Sequence, residues 1–426
     1  MPGICLALIG GGRWARTHAG VLAQFSGRIE RVLWVTRHNS AAVDTFIAQN
    51  RGAAPTFELF SSLNAALAEK PDAAIVVTAD SNHASTAEIL LRNGVPTLVE
   101  KPLALSGQSA KHLIELAEQR NIALCVALHL LKADFLHYFR QLWIGRQIDR
   151  IELEWIDPDF EMRHGEAKFL NLTANKADEA IPHLWSILRV IQNEYEPQLR
   201  AAKPRPLGAV ELEMDVGSSR ATIVFARRAT ARKRALRLAF QDGGTAEIDF
   251  TMEPGRIAID GADQPNLEAG TRIRPLATEI RDFLDVIDRP ENMALSTQLA
   301  AHCLGSVTLT ETVRELLIER EAQAVALRLI NGGSMHEPDV SAWIIDNIAP
   351  LLGTQGTRID SADQETTGRI IEAVHEAVSE ESSCVAASRR SEASPAMMST
   401  IRQSRFFDLL IKDLSELQKQ RPIATS

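Results

Sequence analysis

The chain has 426 residues, 45% of them hydrophobic and 24% charged, and its formal net charge is −9 at pH 7. This length predicts two or three ordinary globular domains. The acidic balance argues against a nucleic acid or an anionic membrane as partner, because either would require a basic face. No run reaches the ~18 apolar residues of a membrane span, and the first strand starts too near Met1 to leave room for a signal peptide. We therefore expect a cytoplasmic protein that binds a small molecule.

The four cysteines lie far apart and form no Cys-x-x-Cys pair: Cys5, Cys125, Cys303 and Cys384. A zinc site or a dense disulfide network would require closely spaced cysteines. The sequence therefore indicates reduced, buried thiols and no metal site.

The first 128 residues alternate between two periodicities. Apolar runs at residues 4–9, 31–35, 73–78, 95–99 and 122–128 predict buried strands, and the segments between them, such as "ASTAEILLRNG", have apolar residues at helical spacing. Alternating strands and helices are typical of a parallel, doubly wound sheet. We predict an α/β Rossmann domain over residues 1–128.

From about residue 150 the pattern changes to strand-like segments without long helices between them, for example "RIELEWI", "AVELEMDV" and "RATIVFARR". Their alternation of apolar and polar residues suits an open, mixed or largely antiparallel sheet with one covered face. Apolar residues at helical spacing return at residues 275–288 and 295–320. We therefore predict that residues 129–334 form an α+β domain for substrate binding and oligomerisation. The basic run from Arg227 to Arg234 is interpreted as an exposed hairpin turn.

Residues 335–426 form a third segment, a helical C-terminal extension. Its pattern predicts two or three helices around the polar stretch "SEESSCVAASRRSEASPAMMST", residues 379–400, which has the composition of a linker. The sequence assigns no role to this extension.

The strongest local motif is the first turn, "LALIGGGRWARTHAGVL", where Gly10, Gly12 and Ala15 match G-x-G-x-x-A between a strand and a helix. Gly10 allows the tight turn, Gly12 lets the backbone approach a pyrophosphate, and Ala15 lets the helix pack closely. Arg13 and Trp14 of the same turn are further candidates for cofactor contact. The alternative is a plain tight turn, which the position at the start of a βαβ series disfavours.

The end of the second strand bears on the choice of cofactor. A site for NAD usually has a carboxylate here, whereas this chain reads "LWVTRHNS", with Thr36, Arg37 and Asn39. Arg37 can pair with a 2′-phosphate and stack on adenine, or it can be an ordinary exposed arginine. The sequence favours NADP and leaves NAD open.

A second motif, "LVEKPLALS", puts Glu100, Lys101 and Pro102 directly after an apolar strand. Charged residues are normally scattered over exposed faces, so a charged pair fixed at a strand end by proline suggests a specific role. A solvated lysine at the strand end is the alternative.

With these motifs, residues 4 to about 325 resemble the glucose-fructose oxidoreductase, inositol dehydrogenase and rhizopine-catabolism family (Gfo/Idh/MocA), in which "EKP" follows a Rossmann strand about 90 residues beyond the glycine turn. The resemblance implies that Lys101 lies beside both nicotinamide and substrate and polarises the reacting oxygen. It also implies that Glu100 helps to position Lys101 and that Pro102 stiffens the turn.

The family also has an Asp followed four residues later by a His in the substrate domain. The matching stretch is "NKADEAIPHLWSILRVI", with His183 at the histidine position, Glu179 in place of the Asp, and Asp178 one residue out of register. A carboxylate can orient an imidazole, which is suited to proton transfer near neutral pH. Pro182 is best tolerated at the first helical position, so we predict His183 in the first turn, where the helix dipole favours a neutral ring. A structural histidine is the alternative.

Two further histidines are weaker candidates. His129 follows the strand "IALCVAL" and is a candidate substrate contact. His83, in "SNHAST", begins the helix before Lys101 and is either a cofactor neighbour or a simple helix-start residue.

The sequence thus predicts an NADP(H)-dependent oxidoreductase that transfers hydride to or from a sugar, a cyclitol or a related carbonyl or imine compound. We expect a homo-oligomer, either a dimer or a tetramer. The alternative from another class is a dinucleotide-binding regulatory protein without turnover, which the altered carboxylate and the extension keep open.

Overall fold

The structure is a computed structural model that describes residues 3–163, 166–265, 274–353, 359–382, 385–386 and 391–420. The chain divides into two units. The first unit comprises Met1–Tyr138, Ile181–Ile191 and Leu267–Glu311, and the second comprises Phe139–Ala180, Gln192–Asn266 and Thr312–Ser426. The division of the sequence at residues 128 and 334 stays a prediction. Within the described residues, every helix is too short or too polar to cross a membrane.

The strands are, in chain order, β1 Ile4–Ile9, β2 Ile29–Val35, β3 Thr56–Phe60, β4 Ala73–Val76, β5 Thr97–Glu100, β6 Leu124–Ala127, β7 Ile148–Pro158, β8 Phe160–Arg163, β9 Glu166–Phe169, β10 Gln198–Pro204, β11 Val210–Val216, β12 Ser219–Ala229, β13 Lys233–Phe240, β14 Thr245–Asp249, β15 Arg256–Ile259 and β16 Ala262–Gln264.

The α-helices are, in the same order, α1 Arg13–Leu22, α2 Ser40–Gln49, α3 Leu63–Ala68, α4 Asp80–Arg92, α5 Gly107–Arg120, α6 Asp134–Gln141, α7 Lys176–Ile191, α8 Pro275–Asp288, α9 Met293–His302, α10 Leu304–Ile330, α11 Pro338–Gly353, α12 Gln364–Glu381, α13 Pro395–Arg402 and α14 Arg405–Gln420.

The first unit is built on a parallel sheet with the strand order β3-β2-β1-β4-β5-β6. Both faces of this sheet are covered: Leu6 and Leu8 of β1 pack in the core that includes α1 and α8, and Ala7 and Ile9 pack in the core that includes α4 and α5. A strand that is buried on both faces reads as a continuous apolar run, which is why β1 was predictable. The order is that of a Rossmann fold, as the sequence predicts.

The sheet has one strand that the sequence pattern did not indicate. β3 pairs with β2 at the edge of the sheet, and Phe57 is the one buried residue among its five. It therefore lacks the continuous apolar run by which the five other strands were predicted.

The second unit contains an eight-stranded sheet in the order β10-β11-β12-β7-β13-β14-β15-β16. Only β12 and β7 pair in parallel, and the other neighbours are antiparallel. A two-stranded hairpin of β8 and β9 is separate. The prediction of an open, largely antiparallel sheet is confirmed.

The interpretation of Arg227 to Arg234 as an exposed hairpin is wrong. β12 and β13 lie on opposite sides of β7 and do not pair with each other. Arg227 and Arg234 are 4% and 2% exposed, because each is neutralised by a carboxylate far away in the sequence: Arg227 by Asp346 and Arg234 by Asp157. Burial of arginine follows from such pairing.

The prediction that Pro182 opens a helix is also wrong. α7 begins at Lys176, where the side chain of Asn175 accepts a hydrogen bond from the Ala177 backbone at 2.8 Å, and Pro182 lies inside the helix. His183 is therefore beyond the first turn. Since the dipole effect is confined to the helix ends, it gives no reason for a neutral His183.

The C-terminal extension is helical, as predicted, but its described residues contain four helices, α11 to α14, rather than two or three. The stretch interpreted as a linker is partly helical, because residues 379–381 belong to α12 and residues 395–400 to α13. Residues 383–384 and 387–390 lie outside the described residues.

Cys5, Cys125 and Cys303 are free thiols in partly buried residues. Cys384 lies outside the described residues. Burial raises the pKa of the Cys125 thiol to about 12. A thiol with this pKa is protonated at neutral pH and is therefore a poor nucleophile.

Candidate active site

The glycine turn after β1 has two glycines with different roles. Gly10 has a φ of 142°, and a Cβ placed on it would lie 2.1 Å from the Val77 carbonyl oxygen. Gly12 has a φ of −74°, and a Cβ placed on it would meet no atom within 4 Å. The fold therefore requires glycine at position 10, whereas the space beside Gly12 is left open.

The first turn of α1 borders this open space. Gly12 is the N-cap residue and has no side chain to cap the backbone N–H groups that follow. Ala15 is fully buried against the sheet. An uncapped helix start beside a glycine with free space fits the pyrophosphate of a dinucleotide, because N–H groups and the helix dipole both favour an anion.

The turn after β2 packs against the glycine turn. A Cβ on Gly11 would lie 2.1 Å from Thr36 Oγ1 and 2.3 Å from the His38 carbonyl oxygen. The Thr36 hydroxyl donates to that carbonyl, so its side chain shapes the turn. Arg37 follows Thr36 in this turn and is exposed to solvent.

The carboxylate of Glu100 connects α1 with the end of β5. Glu100 is 4% exposed. Its Oε1 accepts hydrogen bonds from Trp14 Nε1 at 2.6 Å and from His18 Nε2 at 2.8 Å, and its Oε2 accepts from the Lys101 backbone N–H at 3.2 Å. Burial alone would raise the pKa of Glu100, but His18, His129 and Trp14 together hold it at about 2. Glu100 is therefore a fixed, buried anion.

The turn that follows Glu100 is in contact with the side chain of His83. This histidine is 1% exposed in the first turn of α4, and its Nδ1 lies 2.7 Å from the Pro102 carbonyl oxygen. Its Nε2 lies 3.2 Å from the Thr78 carbonyl oxygen. His83 therefore contacts the backbone carbonyl groups of Pro102, next to Lys101, and of Thr78. A contact between His83 and the cofactor remains a prediction.

Aromatic contacts bring the predicted histidines to the same group of side chains. The Trp14 ring lies 6.2 Å from the His129 ring, and the His129 ring lies 5.2 Å from the His183 ring in an edge-on arrangement. Trp14 is also the donor to Glu100, whose neighbour is Lys101. The first unit thus contains a continuous path of contacts from the glycine turn to Lys101 and His183.

The two adjacent carboxylates of α7 have different partners in the second unit. Asp178 is buried and its Oδ1 accepts from Arg314 at 2.5 Å. The side chain of Glu179 is 37% exposed, and its Oε2 lies 3.5 Å from a terminal nitrogen of Arg227. Of the two, Glu179 is thus the carboxylate with access to solvent, and it lies one helical turn before His183 in the sequence.

The sequence interpretation missed His18 and Gly11. His18 is fully buried and stands four residues after Trp14, so both side chains lie on the same face of α1. A histidine and a tryptophan at this spacing on the helix of a glycine turn were a detectable signal for a shared buried acceptor. The need for glycine at position 11 arises from a contact with residues 36–38 and has no local signal.

The strand order and the glycine turn define an NAD-binding protein of the Rossmann class. Residues 4–128 match the model of the Gfo/Idh/MocA family, described as an oxidoreductase family with an NAD-binding Rossmann fold. The resemblance found in the motifs is thus confirmed over residues 4–128.

One relative with a described activity is the UDP-N-acetylglucosamine 3-dehydrogenase of Acidithiobacillus ferrooxidans. It is 32% identical over 139 residues, and the match spans 32% of this chain and 41% of the relative's length. The chain is thus similar to less than half of that enzyme at the level of sequence.

Solved structures share the fold over a greater length. A structure of the same Acidithiobacillus ferrooxidans dehydrogenase has a TM-score of 0.58 at 24% identity and covers 74% of this chain and 99% of its own. A Gfo/Idh/MocA family oxidoreductase from Vibrio cholerae has a TM-score of 0.58 at 20% identity, covering 75% and 99%. A 3-ketoreductase from Actinomadura kijaniata, solved with NADP and TDP-benzene, has a TM-score of 0.58 at 16% identity, covering 74% and 97%. About a quarter of this chain is not matched by any one of these structures.

The two glycines give a matched test of the dinucleotide site. Gly12→Ala should leave the melting temperature unchanged and weaken NADPH binding roughly tenfold or more, because the added methyl group meets only the space for the ligand. Gly10→Ala should lower the melting temperature, because the methyl group would overlap the Val77 carbonyl oxygen. Calorimetric titration and thermal unfolding measure the two effects. Unchanged NADPH binding by Gly12→Ala would remove this turn from the cofactor site.

Glu100 should make stability depend on acid pH. A carboxyl group whose pKa is lowered by folding stabilises the protein above its unfolded pKa, here 4.5, and this stabilisation is lost as the pH falls towards 2. Between those pH values, wild type should lose up to about 3 kcal/mol more stability than Glu100→Gln. Urea unfolding at several pH values measures the difference, and Glu118→Gln, at an exposed position of α5, controls for the substitution. Parallel pH profiles for wild type and Glu100→Gln would contradict the assignment.

Proposed function

We propose that the protein is an NAD(P)-dependent dehydrogenase or reductase that acts on a sugar, a cyclitol or a related carbonyl or imine compound, with NADP(H) preferred. The observation that carries this proposal is the shared carboxylate of Glu100. Its partners Trp14 and His18 come from the helix of the glycine turn, and its backbone neighbour is Lys101. The dinucleotide cradle and the lysine are thereby fixed to each other.

The residues of the chain have distinct roles in this proposal. When bound, the nicotinamide supplies the hydride chemistry. The glycine turn and the start of α1 hold the pyrophosphate, and Lys101 stabilises negative charge on the reacting oxygen. His183 takes the hydroxyl proton in oxidation and returns it in reduction, and Glu179 orients its ring. His129, which contacts the His183 ring, lines the substrate side.

Three features support NADP as the preferred cofactor. The turn after β2 has no carboxylate at residues 36–39, where an NAD site usually has one for the ribose hydroxyls. Arg37 in that turn is exposed to solvent. Guanidinium groups bind phosphate in a bidentate manner. The fold relative from Actinomadura kijaniata was solved with NADP.

Nucleotide-linked sugars are the first substrates to test. The relative from Acidithiobacillus ferrooxidans is named for oxidation of UDP-N-acetylglucosamine, and the 3-ketoreductase was solved with a TDP derivative. A cytoplasmic location and a homo-oligomeric state complete the proposal.

The cofactor preference can be tested at Arg37. Wild type should bind NADPH at least tenfold more tightly than NADH, and Arg37→Ala should remove most of this difference, because it loses the group that pairs with the 2′-phosphate. Fluorescence titration with both nucleotides measures it. Arg51→Ala, an exposed arginine in the loop after α2, should keep the wild-type ratio. Equal dissociation constants for NADPH and NADH in wild type would contradict the proposal.

The chemistry can be tested at Lys101 and His183. Lys101→Met should lower kcat roughly a hundredfold or more, as expected for the loss of an oxyanion stabiliser. In the oxidative direction, kcat/KM of the wild type should decrease at acid pH as one group is protonated; this decrease is the acid limb of the pH profile. His183→Asn should abolish the acid limb and much of the rate. The exposed Lys111→Met and His112→Asn are the matched controls.

The substrates for this test are UDP- and TDP-linked sugars, free sugars, cyclitols and imines, with reduction of NADP or oxidation of NADPH followed by absorbance. NADPH binding without turnover of any of them would favour the regulatory alternative. Near-normal turnover by Lys101→Met would assign that lysine to a solvated strand end.

A further inference from the structure

The C-terminal extension shares a hydrophobic core with the loop that precedes α7. Leu170 and Leu172 of this loop are 5% and 2% exposed, and they belong to the same buried cluster as Ile344 and Ile348 of α11 and Val374 of α12. Burial of this kind contributes most of the favourable free energy of packing. The extension is therefore an integral part of the second unit.

Backbone hydrogen bonds fix the same loop in register. The Leu172 N–H donates to the Ile359 carbonyl oxygen at 3.0 Å, and the Ser361 N–H donates to the Leu170 carbonyl oxygen at 3.0 Å. α7, which carries Glu179, begins at Lys176, only a few residues later. The extension thus holds the chain at the point where it enters this helix.

A buried ion network reaches from the extension towards Glu179. Asp346 of α11 has a fully buried side chain. Its Oδ1 accepts from Arg227 at 2.9 Å, and the two terminal nitrogens of Arg228 donate to Oδ2 at 2.9 Å and to Oδ1 at 2.5 Å. Lys176 at the start of α7 donates to Oδ2 at 3.2 Å. Burial opposes the charge of Asp346, but these three cations hold its pKa well below the usual range.

Arg227 is the link between this network and Glu179. One of its terminal nitrogens, Nη2, donates to Asp346, and the other, Nη1, donates to the Ala174 carbonyl oxygen at 2.6 Å and lies 3.5 Å from Glu179. Arg227, Lys176 and Glu179 also line the same small cavity in the second unit. The position of the Glu179 carboxylate therefore depends on where Asp346 holds Arg227.

The charges of the network balance only with the extension. The cations facing Asp346 are Arg227 and Arg228 of β12 and Lys176 of α7, and the buried acid paired with Lys176 is Glu321 of α10. Glu179 is the third acid in contact with these cations, and Asp157 of β7 lines the same cavity. Without Asp346, Arg227 and Arg228 would lose their shortest ion pairs among the described residues, and an unpaired buried charge is costly.

We propose that Asp346 is a positioning residue for the reaction, which holds Arg227 so that the carboxylate of Glu179 remains available to orient His183. This inference rests on the proposed function, because it assumes the roles given there to Glu179 and His183. It gives the C-terminal extension a role in positioning the carboxylate of Glu179.

The test compares Asp346→Asn with wild type in the full-length protein. Arg227, released from Asp346, should pair more closely with Glu179, so that the stabilisation of a His183 imidazolium is lost. The acid limb of kcat/KM should then move to lower pH by roughly half a pH unit or more. kcat should fall roughly tenfold to a hundredfold while the NADPH dissociation constant stays unchanged. Asp339→Asn, on the same helix, should keep the wild-type profile, because the Asp339 carboxylate accepts from the Leu207 backbone and not from this network.

A double-mutant cycle separates positioning from a general loss of packing. If Asp346 acts through Glu179, Asp346→Asn should change the rate and pH profile of Glu179→Gln by less than about twofold, because the recipient of the effect is already removed. Effects that multiply independently would overturn the inference, as would a wild-type profile for Asp346→Asn. Arg227→Lys is the second variant, used if Asp346→Asn does not fold. It keeps the charge but cannot reach both carboxylates, so the lysine should stay with the buried Asp346 and release Glu179. The fall of kcat/KM at acid pH should then move to higher pH, opposite to Asp346→Asn, and a wild-type profile would overturn the inference.

The outcome also distinguishes this inference from the function on which it rests. Impaired turnover by Glu179→Gln together with normal turnover by Asp346→Asn would overturn the role of Asp346 alone. Normal turnover by Glu179→Gln would overturn the proposed role of Glu179 itself.

Discussion

The buried carboxylate of Glu100 is the constraint on which the first unit depends. A carboxylate removed from water is stable only when donors surround it, and here two donors come from α1 and one from the turn after β5. The start of α1 faces the open space beside Gly12, and the residue after Glu100 is Lys101. One anion therefore fixes the start of α1 relative to Lys101, and its hydrogen bonds have directions that apolar packing between the same elements would not impose.

The second unit uses a buried anion in a similar way. Apolar side chains of α11, α12 and α14 provide the burial, whereas Asp346 determines which groups face each other at the end of β12 and the start of α7. Buried ion pairs add little net stability compared with apolar residues of the same size, but they penalise any arrangement that leaves one of them unpaired. The apolar core therefore holds the extension in place, and the ion network sets the direction of Arg227.

The sequence predicted those features that depend on local pattern. The strands of both sheets have a pattern of apolar residues that a single segment reveals. The glycine turn has a residue spacing that is likewise visible in one segment. Features that depend on distant partners were not predictable in this way. Arg227 was expected to be exposed because its partner Asp346 lies 119 residues away, and α7 was expected to begin at Pro182 because the Asn175 cap carried no distinctive pattern. The position of Glu100 was predicted, but its anchoring by His18, 82 residues earlier, was not.

The same long-range contacts give a physical reading of the departure from the family motif. Where the family has an Asp, this chain has Glu179, whose side chain is longer by one methylene group and lies 3.5 Å from Arg227. Asp178 is not a substitute, because it is buried against Arg314. An arginine that faced Glu179 alone would draw the carboxylate into a tight ion pair. Asp346 counters this by engaging the other end of the guanidinium. In the proposed mechanism, the longer Glu179, the buried Arg227 and Asp346 of the extension act together, because Arg227 contacts both carboxylates.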